Sequence, residues 1–190
     1  MLAAALLLPL MFAFPIWKIT LVVPQYPENL ALNIWVNKIT GDEPSDLQNI
    51  NILNHYIGMK EIKPDSIPEL KFMPYIVILM SVTALILFVL DKWKLNTSWL
   101  IIFIILGAAA LIDFYLWEYD YGHDLNPDAA IKIEGLAYQP PFLGSKKILN
   151  FVSHSYPSLG SLFMFLSMLC GGIASWYGYK ERNKLSAQID

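Results

Sequence analysis

Residues 72–90 (FMPYIVILMSVTALILFVL) and 99–117 (WLIIFIILGAAALIDFYLW) are almost unbroken apolar runs, joined by the short link 91–98. A bilayer core of about 30 Å is crossed by about 20 apolar residues in a helix. Lipid offers no partner for backbone N–H and C=O groups, so a helix, which satisfies them internally, is the form such a run must take. Two further runs come close to the same length, Leu2–Trp17 and residues 159–179. The chain is 56% hydrophobic with a mean hydropathy of +0.46, above the roughly 45–50% apolar content of soluble domains. The sequence therefore predicts a mainly α membrane protein with about four transmembrane helices, over 1–17, 72–90, 99–117 and 159–179. A small mixed α/β extracytoplasmic portion is formed by 18–71 and 118–158.

The first run allows two readings. It is short, and no Lys or Arg precedes it. A secretory signal begins with a basic segment and ends at a small-residue cleavage site, whereas this run ends in Phe14–Lys18 (FPIWK). We read it as a retained helix; if it is a cleaved signal, three helices remain.

Lys and Arg near helix ends set orientation. The link 91–98 carries Lys92 and Lys94, and the tail 180–190 carries Lys180, Arg182 and Lys184. Both lie on one side if the last three runs all span, and that side is expected to be the cytoplasm. The two long segments then face outward, toward the periplasm if the membrane is a bacterial inner membrane. Trp17, Trp93, Trp99, Trp117 and Trp176 sit near run ends, where amphipathic rings favour the interface.

The outer segments read as folded. Leu30, Leu32, Ile34 and Val36 alternate with a strand-like period of two. Lys18–Val23 is a suitable pairing partner across the turn-rich Pro24–Pro27. Ser45 or Asp46 can cap a helix over Leu47–Ile57, with Gly58 as its stop. Lys146–Val152 is apolar on one side and is expected to lie in the membrane interface.

A net charge of −3 and a pI near 5.6 argue against nucleic acid, which calls for clustered Lys and Arg. The single cysteine, Cys170, lies inside an apolar run and reads as a packing residue. The chain has neither an HExxH helix nor a glycine-rich phosphate loop, and no GxSxG elbow. Gly171, Gly172 and Gly178 read as close-packing positions. Met164 and Met168 read as a packing stripe, with a copper path as the alternative.

The candidate chemistry lies in the outer segments. All three histidines, His55, His123 and His154, fall there. Imidazole is the commonest protein ligand for transition metals, so they form either a copper or zinc site or three separate surface histidines. Met59 stands four residues from His55, and thioether with imidazole suits copper. Asp113 sits inside the third run, where an ionisable group is costly and normally faces the protein interior or water. Asp113, Asp120 and Asp124 fall near one helix face. They form either a cation-binding or proton-handling mouth or a structural network.

Several stretches together carry a resemblance: Phe14–Lys18 (FPIWK), Pro24–Pro27 (PQYP), Asp46–Ile50 (DLQNI), Leu53–Met59 (LNHYIGM) and Ile67–Leu70 (IPEL), with Asp113–Tyr115 (DFY), Trp117–His123 (WEYDYGH), Tyr138–Pro141 (YQPP) and Gly144–Lys146 (GSK). Over most of its length the chain resembles small bacterial integral membrane proteins encoded beside the copper chaperone and maturation factors of nitrous oxide reductase. The resemblance implies a non-catalytic inner-membrane accessory role in copper handling or maturation of an extracytoplasmic copper enzyme. It implies copper as cofactor and a copper chaperone or exported copper enzyme as partner. Ligand candidates are His55, Met59, His123 and His154, supported by Asp113, Asp120 and Asp124. The alternative is a scaffold subunit that docks a partner through its outer segments.

Overall fold

The structure, a computed structural model, describes residues 1–131, 135 and 137–186. Positions 132–134 and 136 of the outer segment 118–158, and 187–190 of the tail, lie outside the described residues.

Among the described residues three helices are long and apolar enough to cross a membrane: α3 (Glu69–Leu90), α4 (Trp93–His123) and α5, whose apolar span covers Leu159–Lys184. The first run differs from these. It forms a short helix, α1 (Leu2–Leu7), that tightens into a 3-10 helix over Leu8–Phe12, with Pro9 at its start. At 1.5 and 2.0 Å rise per residue the pair covers roughly 19 Å, well short of a bilayer core. It packs as a wedge among the long helices. Ala4 and Leu8 are buried against Val77, Met80 and Ala84 of α3 and Phe103 of α4. Ser167 of α5 and Ser81 of α3 donate to the carbonyls of Ala4 and Ala5 at 2.9 and 2.8 Å.

Small residues let the bundle close. A Cβ on Gly171 would stand 2.8 Å from the Trp99 ring, and one on Gly178 would stand 2.6 Å from Trp93 Cβ. Trp99 in turn donates through Nε1 to the Met80 carbonyl and to Thr83 Oγ1, both at 3.1 Å. Met164, Met168 and Cys170 pack against this core.

The domain formed from the segments expected to face outward, called the outer domain on that expectation, is a five-stranded antiparallel sheet in the order β3-β2-β1-β5-β4. The strands are β1 (Trp17–Val22), β2 (Leu30–Ile34), β3 (Ile39–Thr40), β4 (Gly144–Ile148) and β5 (Phe151–Pro157). The expected pairing of 18–23 with the alternating segment is present, with Ile19 opposite Leu32. The second outer segment departs from expectation. Residues 146–152 belong to the β4–β5 hairpin, where Ile148 faces Phe151. Their one-sided apolarity buries Ile148 and Phe151 in the domain core rather than in the membrane interface. The helix α2 (Asp46–Ile57) packs on the same sheet face through Ile50 and Ile57. Gly58 ends it at φ 81, a left-handed backbone that glycine adopts without a Cβ penalty. The N-terminal loop of α2 is gathered by the buried Asp46, whose carboxylate accepts the N–H groups of Ala31, Asp42 and Glu43 at 3.0–3.1 Å.

Sheet domain and basic ends lie at opposite ends of the bundle. At one end Trp17 of β1 packs on Phe114 of α4 and Phe142, and β5 runs directly into α5. At the other, Trp93, beside the α3–α4 link, packs on Tyr179 near the α5 end, which carries Lys180, Arg182 and Lys184.

Candidate functional site

At about 46 Å for 31 residues, α4 outruns a bilayer core. Its apolar stretch 99–117 fills that core, and residues 118–123 continue into the outer domain. Glu118 and Gly122, one turn apart, share a face of this extension. A Cβ on Gly122 would lie 2.4 Å from the main-chain N and Cα of Gln139. With no side chain there, the 137–139 segment lies directly on the helix, and the Tyr138 N–H donates to the Gly122 carbonyl at 3.0 Å.

This arrangement seals Glu118 between the sheet, α2 and the 138–141 segment. It is 0% exposed. Neither carboxylate oxygen has a hydrogen-bond partner, and the buried hydroxyls of Tyr138 and Ser153 also lack one, among the described residues. A buried carboxylate without donors favours its neutral form. Burial raises the Glu118 pKa from 4.5 to about 8, so it carries its proton at neutral pH. Glu118 faces a cavity of about 60 Å³. Ile19, Leu32, Ile50 and Ile148 make its apolar wall, while Trp117, Tyr121, Tyr138 and Phe151 supply rings. Asn54 is buried on the same wall, and the half-buried Met59, Tyr121 and Pro140 bring it to the surface. Among the described residues Glu118 is the only carboxylic or basic side chain lining it.

Of the residues singled out from the sequence, Met59 lines this site and the others are distributed around it. His55 is exposed on the last turn of α2 and lies beside the Tyr56 ring. Met59 lies past the Gly58 cap and lines the cavity, so Gly58 separates the two that a continuous helix would align. His123, at the end of α4, stacks on Tyr119 with ring centres 3.9 Å apart and donates from Nδ1 to the Tyr119 carbonyl at 2.9 Å. His154 is on β5, opposite Thr20, and its Nδ1 meets Ser145 Oγ at 2.6 Å.

Asp120 and Asp124 are brought together, but by a cation of the chain. Lys60 Nζ bridges both carboxylates at 2.8 Å, and these two bonds raise the Lys60 pKa. Asp113 does not join them. Its side chain is exposed at the outer end of the α4 apolar stretch. Among the described residues no group of three or more His, Cys, Asp or Glu side chains gathers as a metal centre.

Glu118 is not among the residues the sequence pattern singles out; it points into the core while Asp120 and Asp124 are exposed. The available signal was Gly122 four residues on, a helix glycine that marks close approach of another segment. No family model, no curated protein and no solved structure matches the chain.

Proposed function

We propose that this protein is a non-catalytic membrane accessory subunit whose outer domain and adjoining α4 dock a partner. The observation that carries the reading is Asp113. It is exposed on a helix surface that is otherwise apolar, at the outer end of a stretch read as membrane-spanning. A charge in that position is expensive in lipid and is normally covered by protein or water. A partner helix or domain seated against the outer end of α4 covers it.

The resemblance carried by the 14–18, 53–59 and 117–123 stretches gives the partner its chemistry. It is a copper chaperone or an extracytoplasmic copper enzyme under assembly, at a bacterial inner membrane with the sheet domain in the periplasm. The dispersal of His55, His123 and His154 over three elements favours copper ligation shared with that partner over a preformed centre. The test is gentle extraction of the tagged full chain from its native membrane, followed by mass spectrometry and metal analysis. A stoichiometric partner that is lost with Asp113→Lys is the expected result. A chain that runs alone, with the same composition in the Asp113→Lys variant, overturns the docking reading. Cu(I) titration of a His55→Ala, His123→Ala double variant tests direct binding. The expected affinity loss is partial, because the remaining ligands belong to the partner.

A further inference from the structure

The Glu118 cavity is built as a binding site, and its chemistry narrows the ligand. A fully buried carboxylate with no donor on either oxygen is complemented by a cation. A divalent metal is a poor fit, since Zn²⁺ takes four S, N or O ligands and Ca²⁺ six to eight oxygens, and among the described residues this wall supplies one carboxylate, one amide and no histidine. A primary ammonium brings three N–H donors that need acceptors; the wall offers these only at Glu118, Asn54 and the Tyr121 and Tyr138 hydroxyls, and Ile19, Leu32, Ile50, Ile57, Ile62 and Ile148 provide none. A methylated ammonium needs no acceptor. Its charge is spread over methyl groups that sit well against aliphatic walls, and aromatic faces attract it. Trp117, Tyr121, Tyr138 and Phe151 line the same space. Its size agrees. A cavity of about 60 Å³ is several times the roughly 10–15 Å³ that a single water needs, so it has room for a small organic group.

We infer that the cavity between the sheet, α2 and the outer end of α4 binds a small methylated ammonium group, with Glu118, which releases its proton to water as the cation enters, as counter-ion and Trp117, Tyr121 and Tyr138 as its aromatic wall. The inference stands apart from the copper reading and from the docking surface at Asp113. Such a group reaches the outer domain either as a free quaternary amine or as a choline lipid headgroup.

The experiment uses the full chain in nanodiscs of phosphatidylethanolamine and phosphatidylglycerol. Tetramethylammonium chloride is titrated and followed by saturation-transfer NMR and tryptophan fluorescence, with tert-butanol as the neutral isostere. The expected result is saturable tetramethylammonium binding. Binding of tert-butanol to the wild type, and of tetramethylammonium to Glu118→Gln, is weaker by at least about tenfold. Absence of saturable binding overturns the inference, as does equal binding of tert-butanol or undiminished binding by a folded Glu118→Gln variant. Should that variant fail to fold, the comparison of charged and neutral ligands on the wild type still decides. Repeating the titration in phosphatidylcholine discs separates the sources. Suppressed binding there assigns the lipid headgroup and unchanged binding assigns the free amine, each supporting the site.

Discussion

The Tyr138 N–H donates to the carbonyl of Gly122 at 3.0 Å, and this bond lays the 137–141 segment across the helix face that carries Glu118. The missing side chain at 122 and the buried acid at 118 are thus two parts of one feature. Without the first, the segment stands off from α4 and water reaches the second.

Replacing Gly122 with Ala is expected to destabilise the outer domain. The new Cβ would meet Gln139 main-chain atoms at 2.4 Å, so backbone must move. Overpacking of this kind costs about 1–3 kcal/mol. Gly172→Ala is the control, because its Cβ would meet nothing nearer than 3.7 Å. Thermal unfolding in detergent should show a drop of several degrees for Gly122→Ala and little change for Gly172→Ala. Equal melting of the two would show that the 138–139 segment does not bear on α4.

Glu118 gives the domain a distinctive pH response. Its folded pKa, about 8, stands above its ordinary 4.5. Between those values the unfolded chain has released a proton that the folded chain still holds. Stability therefore falls as pH rises from about 4.5 to about 8 and levels off above, by an amount on the order of a few kcal/mol. Asp42 works the other way: hydrogen bonds from Lys18 and Asn33 lower its pKa, and its contribution is lost as pH falls. The measurement is therefore the wild type minus Glu118→Gln at each pH. A difference that stays flat between pH 4.5 and 8 would contradict the burial of an unpartnered acid.

The helical runs and the first hairpin were legible because each rests on local pattern. Unbroken apolarity marks α3 and α4, a period of two marks β2, and Gly58 stops α2. The missed parts depend on tertiary partners. Lys146–Val152 has one apolar side, which suits an interface or a sheet equally; Trp17–Val22, pairing with β5 from far along the chain, decides for the sheet. Asp120 and Asp124 looked available for a cation until the fold set Lys60 between them. Apolarity placed Leu2–Trp17 among the membrane runs although it is short; Pro9 and the tightening into a 3-10 helix shape it as a wedge.

The Lys60 bridge is exposed, so its worth is small but its internal arithmetic is specific. Either aspartate can be removed and the ammonium keeps a partner. Removing Lys60 leaves the carboxylates of Asp120, in the last turn of α4, and Asp124, its C-cap residue, close together without a cation, a repulsive pair. Lys60→Met is expected to cost up to about 1 kcal/mol and Asp120→Asn less. The double variant should be more stable than Lys60→Met alone, since the repulsion is gone. A double-mutant cycle by chemical denaturation, repeated at high salt where the coupling should shrink, checks this. Simple additivity would mean that the bridge is not formed.

Ser167 is 0% exposed, and its hydroxyl donates to the Ala4 carbonyl at 2.9 Å. From the other side Ser81 donates to the Ala5 carbonyl at 2.8 Å. These bonds tie a short helix to its neighbours where apolar burial alone drives association weakly, since lipid is as apolar as the bundle. Ser167→Ala leaves the Ala4 carbonyl without this donor in an apolar setting, and the cost is expected near 0.6–1.7 kcal/mol, the range for hydrogen bonds between membrane helices. Ser81→Ala should cost less, because Ser81 is only partly buried. The local consequence is the sharper test. With Leu8→Cys in a Cys170→Ser background, maleimide labelling in membranes should be slow when both serines are present and faster in the Ser81→Ala, Ser167→Ala pair. Unchanged labelling would mean that van der Waals packing of Ala4 and Leu8 against Val77, Met80 and Ala84 holds the wedge without the serines.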